Sequence, residues 1–244
     1  MKSALDYSYN MQLFYSASLD PSSTTYILPR DESKHVVRVL RKREGDEVQI
    51  TNGKGYLFQA LVADANPNKC SLEITEHSYQ SPSDYKLHIA VAPTKANDRF
   101  EWFLEKATEI GVSEITPLLC DHSERKQIKM DRYEKILQSA MKQSLNYHLP
   151  LLRPLTPFKD FIDRIADERA FIAHCEAGNK KSLKNHVIPK TDYTILIGPE
   201  GDFSLQEIDM ALKSRVVPIT LGSNRLRTET AAIVACHSVA FLNE

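Results

Sequence analysis

Three short polar stretches, each directly following an apolar run, hold the residue types from which a ligand site is built. The first is Ile197-Gly198-Pro199-Glu200-Gly201-Asp202. Two glycines flanking Pro-Glu let a backbone approach a ligand closely and present amides to its polar edges. A tight turn that needs glycine for its geometry would use the same residues. The second stretch runs from Leu221 and Gly222 through Arg225, Leu226, Arg227, Thr228, Glu229, Thr230 and Ala231. Thr228 or Thr230 suits a helix cap, and Glu229 suits the positive end of a helix dipole. Arg225 and Arg227 oppose that dipole, which makes them candidates for phosphate or base contacts, with surface ion pairs as the alternative. The third stretch, His174-Cys175-Glu176, is the weakest. A lone histidine after a strand is more often a satisfied, partly buried side chain than a catalyst.

Several chemistries are excluded by what the sequence lacks. There is no Gly-x-x-x-x-Gly-Lys-Ser/Thr phosphate loop and no Gly-x-Gly-x-x-Gly after a strand. A Gly-x-Ser-x-Gly nucleophile elbow is missing too. The four cysteines, Cys70, Cys120, Cys175 and Cys236, form no Cys-x-x-Cys, and the eight histidines form no His-Glu-x-x-His. Reduced thiols and no metal site are the expectation.

A net charge of -1 over 244 residues rules out a bulk polycation, so a nucleic-acid partner has to be sought in local clusters. Lys34, His35, Arg38, Arg41, Lys42 and Arg43 form one. Arg125 and Lys126, with Lys129, Arg132 and Lys135, form a second, and Lys180, Lys181, Lys184 and Lys190 a third. Each alone reads as a solvated face. Several together favour a segregated RNA surface, because phosphate binding needs local charge.

The elements that position these residues fall into two regions. Short extended runs at 13–15, 26–28, 47–51, 57–63 and 70–75, separated by turns such as Asn52-Gly53, predict a small β-barrel. One helix, over 32–43, accompanies it. A polar stretch around Pro82 reads as a linker. Beyond it strands at 87–92, 114–119, 170–174, 194–198 and 216–221 alternate with helices at 97–111, 131–148, 204–213 and 228–242. That alternation predicts an α/β domain with a mostly parallel sheet. Ser204 and Glu207 form a capping box, and Gly111 ends a helix. The helix over 228–242 is apolar almost all round, so it must be covered on most sides, by its own domain and a second subunit. The first fifteen residues lack an apolar core of signal-peptide length, and nothing downstream reaches membrane-span length. A cytoplasmic location is expected. The apolar pattern starts after the polar lead-in 1–10, which places the start of the folded protein near Met11.

Taken in order, the motifs resemble the RsmE family of 16S ribosomal RNA uridine-N3 methyltransferases, of the SPOUT superfamily. The markers are His35-Val36-x-Arg38-Val39-Leu40-Arg41 with Gly45-Asp46, and Lys106-Ala107-Thr108-Glu109-Ile110-Gly111-Val112. Gln143-Ser144, Ile197-Gly198-Pro199-Glu200-Gly201 and Leu226-Arg227-Thr228-Glu229-Thr230-Ala231 follow. They span nearly the whole chain from Met11.

The residue pattern sets off an N-terminal extension (1–10) and a linker (78–84); the resemblance implies a PUA-like RNA-binding barrel between them (11–77) and an α/β domain after them (85–244) carrying a C-terminal trefoil knot. It implies S-adenosylmethionine (SAM) as cofactor, a homodimer through the knotted domain, and 16S rRNA of the 30S subunit as substrate. It places SAM against His174, Glu176, Ile197, Gly198, Pro199, Glu200, Gly201, Leu221, Gly222, Leu226, Thr228, Thr230 and Ala231. Arg227 would orient RNA or stabilise the N3 anion, and Glu200 or Glu229 would take the proton, unless Glu229 only anchors its helix. RNA contacts fall to His35, Arg38, Arg41, Lys42, Arg43, Arg125, Lys126 and Arg225.

The chain departs from the family pattern at Gln12, at Asn146 and at Ser223-Asn224, which bears on which arginines reach RNA. A non-catalytic ribosome-assembly factor, or a SPOUT enzyme acting on another RNA site, is the competing reading.

Overall fold

The computed structural model describes residues 12–165 and 169–244; the lead-in 1–10 and the start at Met11 lie outside the described residues. The chain divides into two units: residues up to Pro82 with Met141–His148, and Ser83–Ala140 with Leu149–Glu244.

In the first unit the extended runs form β1 (Leu13–Tyr15), β2 (Thr25–Ile27), β3 (Glu47–Thr51), β4 (Tyr56–Asp64) and β5 (Ser71–Tyr79), in the order β1-β3-β4-β5-β2. β1 pairs parallel to β3, and the other pairings are antiparallel. Alternation puts Val48 and Ile50 of β3, and Phe58, Ala60 and Val62 of β4, on one buried face with Phe14, Leu28, Val36 and Leu72. Gly53 and Gly55 turn the chain between β3 and β4 at φ of 70° and 92°, values that side chains rarely adopt. β5 pairs as far as Tyr79, so ladder hydrogen bonds occupy the residues where the sequence predicted the linker to begin.

The helix expected over 32–43 is shorter and earlier: α1 (Arg30–Lys34) runs into a π-helical turn, His35–Val39. Wide hydrogen bonds from Leu40 N–H to His35 O and Lys42 N–H to Val36 O close that turn. Arg41 then takes a left-handed φ of 55°, which ends the helix before residue 43.

The second unit contains β6 (Leu87–Val91), α2 (Asn97–Ile110), β7 (Glu114–Leu119), α3 (Met130–Gln143), β8 (Leu151–Leu152), β9 (Thr156–Pro157) and α4 (Phe158–Arg164). Then come β10 (Ala170–Ala173), β11 (Lys181–Ser182), β12 (Tyr193–Ile197), α5 (Leu205–Lys213), β13 (Val217–Thr220) and α6 (Thr228–Phe241). The strand order is β11-β13-β10-β12-β6-β7-β8, with β9 beside β7 and each pairing parallel.

The central strands are buried on both faces, as their unbroken apolar runs require. Ile195 and Ile197 of β12 point to one layer, with Phe100, Phe103 and Leu104 of α2 and Ala232, Ala235 and Val239 of α6. Leu196 points to the other, with Phe158 and Ile162 of α4 and Ile208 and Ala211 of α5. Each of the larger side chains among them contributes about 1.5–3 kcal/mol by leaving water.

Gly111, at φ of 97°, ends α2 as expected, and Ser204 and Glu207 complete both halves of the capping box on α5. The helix predicted over 131–148 stops at Gln143, because Leu145 turns left-handed at φ of 53°. β8, β9, α4 and β11 are too short or too mixed in pattern to have shown in the sequence. Among the described residues no helix is long and apolar enough to cross a membrane.

Candidate functional site

β13, β10 and β12 are adjacent in the sheet, so the loops leaving their carboxyl ends meet on one side. That is where ligands bind in open parallel sheets. The three loops enclose a cavity of about 520 Å³, a size ordinary for a small-molecule site. These are the three stretches that the sequence singled out.

The β12 loop is built on close contact. A Cβ on Gly198 would stand 3.1 Å from the Phe203 ring, and one on Gly201 would stand 3.1 Å from His122 Cβ. Neither glycine has a positive φ; the left-handed position in the loop is Asp202, at φ of 64°. The glycines therefore relieve close contacts rather than supply a left-handed turn, which corrects the turn-geometry reading. Thr228 Oγ1 donates to Gly198 O at 3.1 Å in a buried bond, stitching the start of α6 to this loop. It does so in place of capping, since Arg227 is the N-cap residue and α6 has no side-chain cap bond.

The lining takes in twelve of the expected residues. From the first two loops come His174, Ile197, Gly198, Pro199 and Glu200. The third supplies Leu221, Gly222, Arg225, Leu226, Arg227, Thr228 and Ala231. Four expected residues, Glu176, Gly201, Glu229 and Thr230, stand outside it. Apolar walls from Ile197, Ile219, Leu221, Leu226 and Ala231 and polar loop backbone suit a flat ring with hydrogen-bonding edges. Arg225 and Arg227 are exposed, as phosphate contacts need to be.

The titratable groups separate by environment. Burial first, and the Lys180 ammonium second, hold the His174 imidazole below its ordinary 6.5. Its Nδ1 is buried without a hydrogen-bond partner among the described residues. Burial and then the Asp202 carboxylate push the Cys175 thiol up. Glu200 is exposed, and its Oε1 accepts the Lys95 backbone N–H at 2.9 Å. Glu229 is buried at the start of α6, its Oε1 4.0 Å from Arg99 Nε.

The basic residues divide likewise. Arg38, Arg41 and Arg43 are exposed in the first unit, and His35 and Lys42 are half-buried there, with Gln12 Nε2 2.6 Å from His35 Nε2. In the second unit Arg125 spends Nε and Nη2 on the carbonyls of Thr94 (2.9 Å) and Lys95 (2.6 Å), while Lys126 is exposed.

Residues 81–240 match the RNA methyltransferase domain family, and residues 28–75 the RNA methyltransferase PUA domain. A ribosomal RNA small subunit methyltransferase E from Mesomycoplasma hyopneumoniae is 32% identical over 218 residues, 85% of this chain and 90% of the relative. The chain belongs to the ribosomal RNA small subunit methyltransferase E family. Its α/β unit is thus the family's SPOUT-type domain, and the curled sheet before it the PUA-like half-barrel that the sequence implied. A crystal structure of a probable rRNA methyltransferase from Porphyromonas gingivalis superposes with a TM-score of 0.88 at 39% identity, covering 96% of this chain and 98% of that one. The family's enzyme from Neisseria gonorrhoeae, solved bound to S-adenosylmethionine, superposes at 0.85 with 25% identity and covers 96% and 98%.

Among the lining residues that the sequence did not assign to the site, two stand in the polar stretches themselves. Cys175 and Asp202 both line the cavity, and Asp202 Oδ2 accepts the Cys175 backbone N–H at 2.6 Å. A carboxylate directly after Gly201 was visible, but a bond between loops 27 residues apart leaves no periodic trace.

Proposed function

We propose that this protein transfers the methyl group of SAM to N3 of a uridine in the decoding region of 16S rRNA, acting on the 30S subunit. The observation that carries this is the cavity at the ends of β10, β12 and β13, walled by loop backbone and apolar side chains, with Arg225 and Arg227 exposed beside it. Its volume and mixed lining fit an adenosine with an amino-acid tail. Ile197, Leu221, Leu226 and Ala231 hold the flat ring, and the backbone at Gly198 and Gly222 meets polar edges. When bound, SAM supplies an electrophilic methyl on a good leaving group.

The protein's own work is alignment and proton removal. The uridine has to leave any base stack to reach the cavity, and Arg225 grips its backbone phosphate. Arg227 stabilises the negative charge that develops at N3. Glu200 accepts the N3 proton, because it is exposed in the lining while one of its oxygens is fixed by the Lys95 N–H. Glu229, buried against Arg99 and outside the lining, anchors α6 instead. The basic side chains of the first unit, from His35 to Arg43, hold further phosphates of the RNA, with Lys126 contributing from the second. α6 follows β13 yet packs against α2, β6 and β12 in the middle of the sheet, a return path that supports a C-terminal trefoil knot. Its remaining apolar side supports a homodimer, and an rRNA substrate supports a cytoplasmic location.

Two measurements test the reading. Calorimetry is expected to show SAM binding to the wild-type protein, and silence there would favour an assembly factor. Nucleoside mass spectrometry of 16S rRNA from a deletion strain should lack 3-methyluridine, restored by the wild-type gene but not by Glu200→Gln. Unchanged 3-methyluridine in the deletion strain would overturn the proposal.

A further inference from the structure

We propose that Asp202 is a positioning residue that fixes the width of the cofactor cavity by tying the loop after β12 to the loop after β10. The inference rests on the SAM reading above and adds a residue to it. Asp202 sits at φ of 64°, a conformation that glycine adopts freely and an aspartate does not. Its backbone is pinned there from three directions. Its N–H donates to Pro199 O at 2.9 Å, and the His122 Nδ1 lies 3.1 Å from both Gly201 O and Asp202 O. Its own Oδ1 accepts the Phe203 N–H at 2.8 Å. The other oxygen, Oδ2, is thereby aimed across the cavity wall and takes the Cys175 N–H at 2.6 Å.

The opposing loop needs such a tie. Residues 175–179 are exposed and irregular. The Lys180 ammonium donates to His174 O and Glu176 O, both at 2.6 Å, which holds the loop's shape. Those two bonds are internal to the loop and do not fix its place. Asp202 fixes it, through a charge-assisted bond to backbone that is stronger than a neutral one. His174 and Cys175 line the cavity, so where this loop stands decides how closely they approach the ligand.

The test compares the full-length wild type with Asp202→Gly, which relieves the backbone and removes the tie, and with Asp202→Asn, which keeps one acceptor. SAM affinity by calorimetry is expected to fall roughly tenfold or more for the glycine variant and less for the asparagine variant. The KM for SAM should rise while kcat changes little, since Asp202 touches no reacting atom. A second readout does not depend on SAM. Cys175 is exposed while Cys70, Cys120 and Cys236 are buried, so iodoacetamide labels it selectively. Its labelling midpoint should move to lower pH in Asp202→Gly, because a carboxylate that raises the thiol is gone. A general folding defect would instead open the three buried thiols.

If wild-type protein shows no SAM binding, the cofactor reading falls. If the wild type binds SAM and both variants keep its affinity and the wild-type labelling profile, only the tie falls.

Discussion

At the residue scale, bonds that carry no catalytic chemistry set the site. Thr228→Val removes the hydroxyl that satisfies Gly198 O and leaves that carbonyl buried without its partner. The expected cost is about 1–3 kcal/mol, seen in urea unfolding, together with weaker SAM binding; an unchanged midpoint would show that the stitch is idle. His174 gives a pH signature. The unfolded chain takes up its proton at about 6.5, and the folded site holds out to lower pH. Folding therefore sheds a proton between the two values. Stability is complete above 6.5 and is lost as pH falls towards the depressed folded value. His174→Gln should flatten the decline in unfolding free energy below pH 6.5, and a variant that declines as steeply as wild type would count against this assignment. Cavity-lining residues were legible here because Gly198, Gly222 and Arg227 sit where strands give way to helices. Asp202 was not, because nothing local distinguishes a carboxylate bound to its own turn from one that reaches another loop.

At the element scale, the sequence read well where the residue type itself signals a helix end and badly where it does not. The capping box on α5 and the glycine after α2 are chemical signals, and both stand in the structure as expected. The ends of the π-helical turn and of α3 are set by Arg41 and Leu145 in left-handed conformations that neither residue type advertises. The cap is testable. Ser204 accepts the Glu207 N–H, and its hydroxyl donates to Asp121 Oδ2 at 2.5 Å, so it also ties α5 to the loop after β7. Ser204→Ala should lose about 0.5–2 kcal/mol, towards the upper end because both bonds go. A loss near zero in chemical denaturation would mean that α5 is held by its apolar face alone.

At the scale of the whole molecule, the two units carry separable chemistry, and a charge argument divides them. Three of the residues proposed to hold further phosphates, Arg41, Lys42 and Arg43, lie on a loop whose backbone is fixed independently of their side-chain charges. Lys42 N–H binds Val36 O at 3.0 Å, Arg43 N–H binds Asp46 Oδ2 at 2.7 Å, and Gly45 N–H binds Val62 O at 2.8 Å. Replacing Arg41, Lys42 and Arg43 together by glutamine therefore removes cationic charge with little expected loss of fold. For every phosphate that these side chains neutralise in the wild type, the slope of log Kd against log salt should fall by roughly 0.7–0.9 in the variant, the lower figure for single strands. Filter binding of a 16S rRNA fragment across a salt series measures that slope, and calorimetry on the same variant should return the wild-type SAM affinity. A shallower slope with SAM binding intact assigns RNA capture to the first unit. An unchanged slope would move that role to the exposed cations of the second, Lys126 and Arg225 foremost, because an RNA duplex or loop has to be neutralised somewhere and the net charge of -1 leaves no diffuse alternative.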